Sequence, residues 1–164
     1  MTLETPAIAV AGGRSGMATD NGAPADEVQI RALIDDRLKA VRAKDINGAM
    51  SSSASDILSF DVIDPLQYVG LHALRKRLEG WFASFQGPIG HEICELNITA
   101  GNDVAFSHSL NRVIGTKTDG NKIDMYWRAT GCYRKIDGKW MVTHEHNSVP
   151  FDPESGKATL DLKP

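Results

Sequence analysis

Residues 137–153, "DGKWMVTHEHNSVPFDP", decide how the chain folds. Asp137-Gly138 is the dipeptide of a tight two-residue hairpin turn, and the alternation that follows it is that of a β-strand with one apolar face. Trp140 and Val142 mark that face. His144 and His146 continue it in step, where a core strand would carry Val or Ile.

Working upstream, the same turn chemistry gives three more strands. "HEICELNITA", "DVAFSHSLNRVIG" and "KIDMYWRATGCYRK" are separated by Gly101-Asn102 and Asp119-Gly120, so the second half of the chain is a run of antiparallel strands. If Asp119-Gly120 and Asp137-Gly138 both form two-residue turns, the register follows. His144 lies opposite Gly131, His146 opposite Ala129, His108 opposite Gly131, and Arg112 opposite Trp127. Phe106, Ile114, Met125, Tyr133, Trp140 and Val142 share their face. A face that is apolar at its rim, with small residues and a few polar groups at its centre, is the sequence pattern of a ligand pocket. The other face, with Arg128, Thr130, Thr143, Glu145 and Asn147, suits water or a second subunit.

The first half is helical. From Asp26 to Lys44 the apolar residues Ile30, Leu33, Ile34, Leu38 and Val41 recur every three or four positions, with Asp26 as N-cap. "DINGAMSSSAS" is a short helix or turn, and "DILSFDVID" a strand ending at Asp64-Pro65. Leu71, Leu74, Leu78, Phe82 and Phe85 put one stripe on a second long helix that Gly87-Pro88 stops. Residues 1–24, rich in Gly, Ala, Thr and Pro, have neither period and are expected to be a flexible tail before a single domain over 25–164. Helices followed by antiparallel strands make the class α+β.

Composition narrows the function. A net charge of −3 without a basic stripe argues against nucleic acid and membrane surfaces as partners. No apolar run approaches the ~18 residues of a membrane span, and no convincing signal peptide is present, so a cytoplasmic protein is expected. Cys94 and Cys132 lack metal-site or disulfide spacing and are read as small core residues. No G-x-S-x-G frame, phosphate loop or dinucleotide glycine pattern occurs. No cofactor is expected. A three-histidine metal site of His108, His144 and His146 is disfavoured because, in this register, Gly131 holds His108 and His144 two strand spacings apart, roughly 10 Å.

Asp61, on the strand that begins "ILSF", is expensive to bury as a carboxylate, the alternative being a strand-end aspartate that faces solvent or pairs with an arginine. His144 and His146 are candidate acid/base partners; the alternative is a pair of hydrogen-bonded core histidines. His108, Arg112, Trp127, Tyr68 and Phe82 are candidate substrate contacts. The alternatives are that Arg112 stacks on Trp127, that Tyr68 packs, and that Phe82 is core.

With these elements placed, residues 26–151 resemble the nuclear transport factor 2-like superfamily in its SnoaL-like and ketosteroid isomerase-like branch. "DGKW" followed by "VTHEHNS" is the most specific part, and a similar ending occurs in the association domain of calcium/calmodulin-dependent kinase II. The resemblance implies a cone-shaped α+β barrel, a bent antiparallel sheet wrapped around N-terminal helices and enclosing a pocket, and a homodimer formed through the sheet. It implies a small apolar or polyketide- or steroid-like ligand. Counting back from Gly70 brings the isomerases' catalytic aspartate to Asp61, while Asp64 matches their Asp-Pro dipeptide. The isomerases' helix tyrosine and late-strand acid have no counterpart here, which argues against steroid isomerisation itself. One fold hosts enzymes and assembly modules alike, so a non-catalytic binding or oligomerisation module is the alternative.

Overall fold

A computed structural model describes residues 23–164. The expected tail falls almost wholly outside them. The order is α1 (Ala23–Arg42), α2 (Ile46–Met50), β1 (Ser53–Phe60), β2 (Tyr68–Val69), α3 (Gly70–Ala83), β3 (Phe85–Ala100), β4 (Val104–Lys117), β5 (Lys122–Ile136) and β6 (Lys139–Ser148). The strands form one sheet in the order β2-β1-β6-β5-β4-β3. Neighbours are antiparallel except β1 and β6, which run parallel. The sheet is mixed rather than purely antiparallel and is not closed, so the cone is completed by helices.

The apolar stripes build the core as their spacing requires. Ile30 on α1, Leu74, Leu78 and Phe82 on α3, and Ile57, Val113, Tyr133, Trp140 and Val142 on the strands are buried together. Ile30, Ile57 and Val113 are sealed completely, each burial contributing about 1.5–3 kcal/mol. Two helix boundaries differ from expectation. Asp26 is not an N-cap: α1 begins at Ala23, and the Asp26 carboxylate accepts hydrogen bonds from Lys135 Nζ (2.7 Å) and Trp140 Nε1 (2.9 Å), tying the helix to β5 and β6. Helix α3 stops at Ala83, because Ser84 turns its hydroxyl back onto the Trp81 carbonyl, and Phe85 enters the same core from β3.

The register departs from expectation at two places, and both matter for the site. The Asp119-Gly120 hairpin has a three-residue loop, closed by Lys117 N–H to Asn121 O (2.8 Å), with Gly120 in the left-handed region at φ 86°. Ser107 therefore lies opposite Gly131, Ser109 opposite Ala129 and Asn111 opposite Trp127, while His108 meets Thr130 and Arg112 meets Tyr126. The Asp137-Gly138 turn is the two-residue kind, both residues having positive φ, and Tyr133 pairs with Val142 as expected. A bulge then intervenes. Thr143 is the extra residue, its hydroxyl donating to the Cys132 carbonyl at 3.4 Å, so that Cys132 meets His144, Gly131 meets Glu145 and Ala129 meets Asn147. Because side chains alternate, one extra residue exchanges the two faces of the rest of β6.

Candidate functional site

Between the helices and the covered face of the sheet lies a half-enclosed cavity of about 200 Å³. Its apolar wall comes from Leu33, Ile34, Leu38 and Val41 of α1, Leu74, Leu78 and Trp81 of α3, and Val113 and Met125 of the sheet. Its polar lining is Arg37, Asp61, Arg77, His91, Ser107, Ser109, Asn111, Tyr133, Glu145 and Asn147. That mixture of apolar wall and convergent polar groups is what small-molecule sites share.

Asp61 sits just past the end of β1. Its Oδ2 accepts from Arg77 Nε at 2.6 Å and its Oδ1 from the Val62 N–H at 2.7 Å, with 14% of the side chain exposed. Arg37 Nη1 bridges Glu145 Oε2 at 2.8 Å, and Ser59, two residues before Asp61, donates to Glu145 Oε1 at 3.0 Å. Burial alone would raise the Glu145 carboxyl. The Arg37 charge and the hydrogen bonds from Arg37 and Ser59 together outweigh it and hold the group below the usual carboxylate range. Glu145 in turn holds the Arg37 guanidinium above its ordinary value. The cavity thus contains two carboxylates and two guanidiniums, each paired.

His91 on β3 stacks on Trp127 at a centroid distance of 5.2 Å and meets the edge of Trp81 at 6.4 Å. Burial, aided by the nearby Arg37 and Arg42 charges, lowers its pKa to about 4, so the ring is neutral at pH 7. Its Nε2 is 3.2 Å from Asn111 Oδ1, and Nδ1 is sealed without a partner. Asn111 Nδ2 donates to Ser109 Oγ at 3.0 Å, and Trp127 Nε1 donates to Asn147 Oδ1 at 3.0 Å. The space expected above Gly131 is filled by Tyr133: its hydroxyl bonds Ser107 Oγ at 2.9 Å, and a Cβ on Gly131 would lie 2.7 Å from that hydroxyl.

Of the residues singled out by sequence, Asp61 and Trp127 line the cavity. The expected rows of His108, His144, His146 and Arg112 are corrected by the register: all four lie on the uncovered face. His144 Nδ1 bonds the Leu58 carbonyl at 2.9 Å, and His144 and His146 both meet the Phe60 ring edge-on, at 4.9 and 5.6 Å. His108 is exposed beside Thr130. Arg112 grips Asp124 through two hydrogen bonds (2.8 and 3.0 Å) and reaches Glu92 rather than Trp127. Phe106 and Ile114 belong to that face too. Tyr68 donates to the Asp64 carbonyl outside the cavity, and Phe82 is core behind it. Cys94 and Cys132 are half-buried on the uncovered face rather than in the core. Among the described residues no group of three or more His, Cys, Asp or Glu is placed to hold a metal ion, and no helix is long and apolar enough to cross a membrane.

Arg37, Arg77, His91, Asn111, Glu145 and Asn147 escaped the sequence reading. A signal existed for two of them. Arg37 falls within the stripe of Leu33, Ile34, Leu38 and Val41, and Arg77 between Leu74 and Leu78 in the stripe of α3. An arginine on an apolar stripe must have a buried partner.

Helices capping one face of a bent sheet around a half-enclosed cavity define a pocket protein of the nuclear transport factor 2-like class. The profile of the SnoaL-like domain family matches residues 30–152, and the chain belongs to that family. Among solved structures it is similar to an NTF2-like protein of unknown function from Pseudomonas putida KT2440, 40% identical over 86% of this chain and 98% of that one, with a TM-score of 0.79. It shares its fold with a ketosteroid isomerase-like protein from Erwinia carotovora atroseptica (21% identity, 74% and 93% covered, TM-score 0.64). The fold also matches an NTF2-like protein with a cystatin-like fold from Novosphingobium aromaticivorans (15%, 81% and 87%, TM-score 0.66). No curated protein matches the chain.

Proposed function

We propose that the protein is a cofactor-independent enzyme of the isomerase, cyclase or hydrolase-like kind, acting on a small, largely apolar molecule in this cavity with Asp61 as general base. The observation that carries the proposal is the Asp61 carboxylate in the cavity wall, positioned by Arg77 and the Val62 N–H. Two hydrogen bonds fix its oxygens without using all their lone pairs, so it can still accept a proton from a bound carbon acid or water. Arg77 and Arg37 then supply positive charge where negative charge develops. His144 and His146 act from behind, bracing Phe60 and Leu58, the end of β1 that delivers Asp61. The test is turnover by Asp61→Asn of a substrate found by thermal-shift screening of small ketones and lactones. Loss of turnover with ligand binding retained is expected. Full activity in the variant overturns the proposal.

The uncovered face supports a homodimer formed through the sheet. Phe106 is 46% and Val104 57% exposed there. Light scattering on the wild type and Phe106→Asp tests this: a dimer is expected for the first and a monomer for the second. A monomeric wild type removes the proposal.

A further inference from the structure

Along β5 the residues on the cavity floor read Trp127, Ala129, Gly131 and Tyr133, two small ones between two aromatic ones. Tyr133 and Val142 form the last row of that floor. The Tyr133 phenol does not stay in its own row. It reaches back over the next one, Ser107 and Gly131, with its hydroxyl 2.9 Å from Ser107 Oγ. A Cβ on Gly131 would stand 2.7 Å from that hydroxyl and 3.1 Å from Cζ, so only glycine leaves the phenol this place. The hollow at Gly131 is thus taken by the protein itself. At the other end Trp127 is fixed by the His91 stack at 5.2 Å and by its hydrogen bond to Asn147 at 3.0 Å. Alternate residues of a strand lie about 6.8 Å apart, which leaves one step of open floor, over Ala129.

From this we infer that Tyr133 and Trp127 determine the specificity of the cavity, as bookends that hold its ligand to a single ring over Ala129, with Tyr133 setting the inner limit. The volume agrees independently. Benzene occupies an engineered cavity of about 150 Å³, so about 200 Å³ takes one ring and a small substituent. A four-ring skeleton, as the isomerase resemblance would suggest, exceeds it. A second fused ring would have to displace the phenol, which is buried between Ala105 and Val142 of the neighbouring strands. The strain of moving buried groups then offsets the gain from the added apolar surface.

The inference rests on the cavity being a substrate pocket, but not on Asp61 being the base. Nuclear magnetic resonance titrations of the full chain with benzyl alcohol and naphthalene-2-methanol test it, two uncharged probes that differ by one fused ring. An unobstructed apolar pocket favours the larger probe by about tenfold or more, because the second ring adds apolar surface. The wild type is expected to bind benzyl alcohol at least as tightly as the larger probe. Tyr133→Ala vacates the space of one ring and should bind naphthalene-2-methanol about tenfold more tightly than benzyl alcohol. Tyr133→Phe keeps the ring and should keep the wild-type order. Ala129→Leu fills the open step itself and should weaken benzyl alcohol binding by about tenfold or more; this variant decides the matter should Tyr133→Ala fail to fold. A wild-type preference for the larger probe, no binding of benzyl alcohol, or undiminished binding by Ala129→Leu overturns the inference. So does an order unchanged in folded Tyr133→Ala or reversed in Tyr133→Phe. Asp61→Asn should keep the wild-type order. If that variant is also fully active on an identified substrate, the general-base proposal fails while the size limit stands.

Discussion

The two faces of this sheet carry similar residue types and use them in opposite ways. On the covered face Arg37 meets Glu145 and Arg77 meets Asp61, with 13–24% of each side chain exposed. On the uncovered face Arg112 meets Asp124 and Glu92, whose side chains are 42% and 47% exposed. Charges that water can reach contribute little to stability, and charges removed from water depend on their partners. The same holds for the imidazoles: His91, behind the helices, is held neutral by burial, while His108 and His146 stand in solvent. Environment, set by one loop and one bulge, decides which residues are available for chemistry.

Removing one partner from each face gives the largest contrast. Glu145→Ala leaves Arg37 uncompensated behind the helices and should cost about 3–5 kcal/mol in urea unfolding, against about 0.5 kcal/mol or less for Glu92→Ala. Adding Arg37→Met to Glu145→Leu should restore much of the loss. Equal effects on the two faces would break the comparison.

Acid should separate the faces next. The His91 pKa is about 4 in the folded chain and near 6.5 when unfolded, so the unfolded state binds the proton first. Stability is complete above pH 6.5 and falls as the pH drops towards 4, by about 3 kcal/mol for a shift of this size. Glu145, held below its ordinary value, adds a further loss as the pH falls below 4.5. Denaturation midpoints of the wild type and His91→Gln from pH 7 to 4 check this: the variant should lose the upper part of the slope.

Two smaller effects sharpen the picture. Gly131→Ala places a Cβ against the Tyr133 hydroxyl and Ser107 and should cost about 1–2 kcal/mol, read by thermal unfolding. His146→Ala, on the solvent side of Phe60, should cost less than about 1 kcal/mol and leave binding in the cavity unchanged.

This contrast also explains what the sequence could reveal. Elements governed by local chemistry were legible: the stripe of α1, the Asp137-Gly138 turn and the ending that resembles the SnoaL-like branch, while "DINGAMSSSAS" read as either a short helix or a turn. Asp61 was reachable through its distance from Gly70. The register was not, because it depends on a count. Nothing in "TKTDGN" distinguishes a two-residue from a three-residue loop, and nothing in "MVTHEH" announces that Thr143 is extra. Each event moves a whole set of side chains through the sheet. The histidines that opened the question therefore face away from the cavity, and Glu145 and Asn147, between and beside them, face into it.

The central claim is that β6 presents Glu145 and Asn147, not His144 and His146, to the cavity. Nuclear Overhauser contacts of the assigned β6 side chains measure this directly. The structure predicts contacts from the His144 and His146 rings to the Phe60 ring and from the Trp127 indole N–H to the Asn147 side chain. Contacts from the His146 ring to the Ala129 methyl group, with none between Trp127 and Asn147, would contradict it.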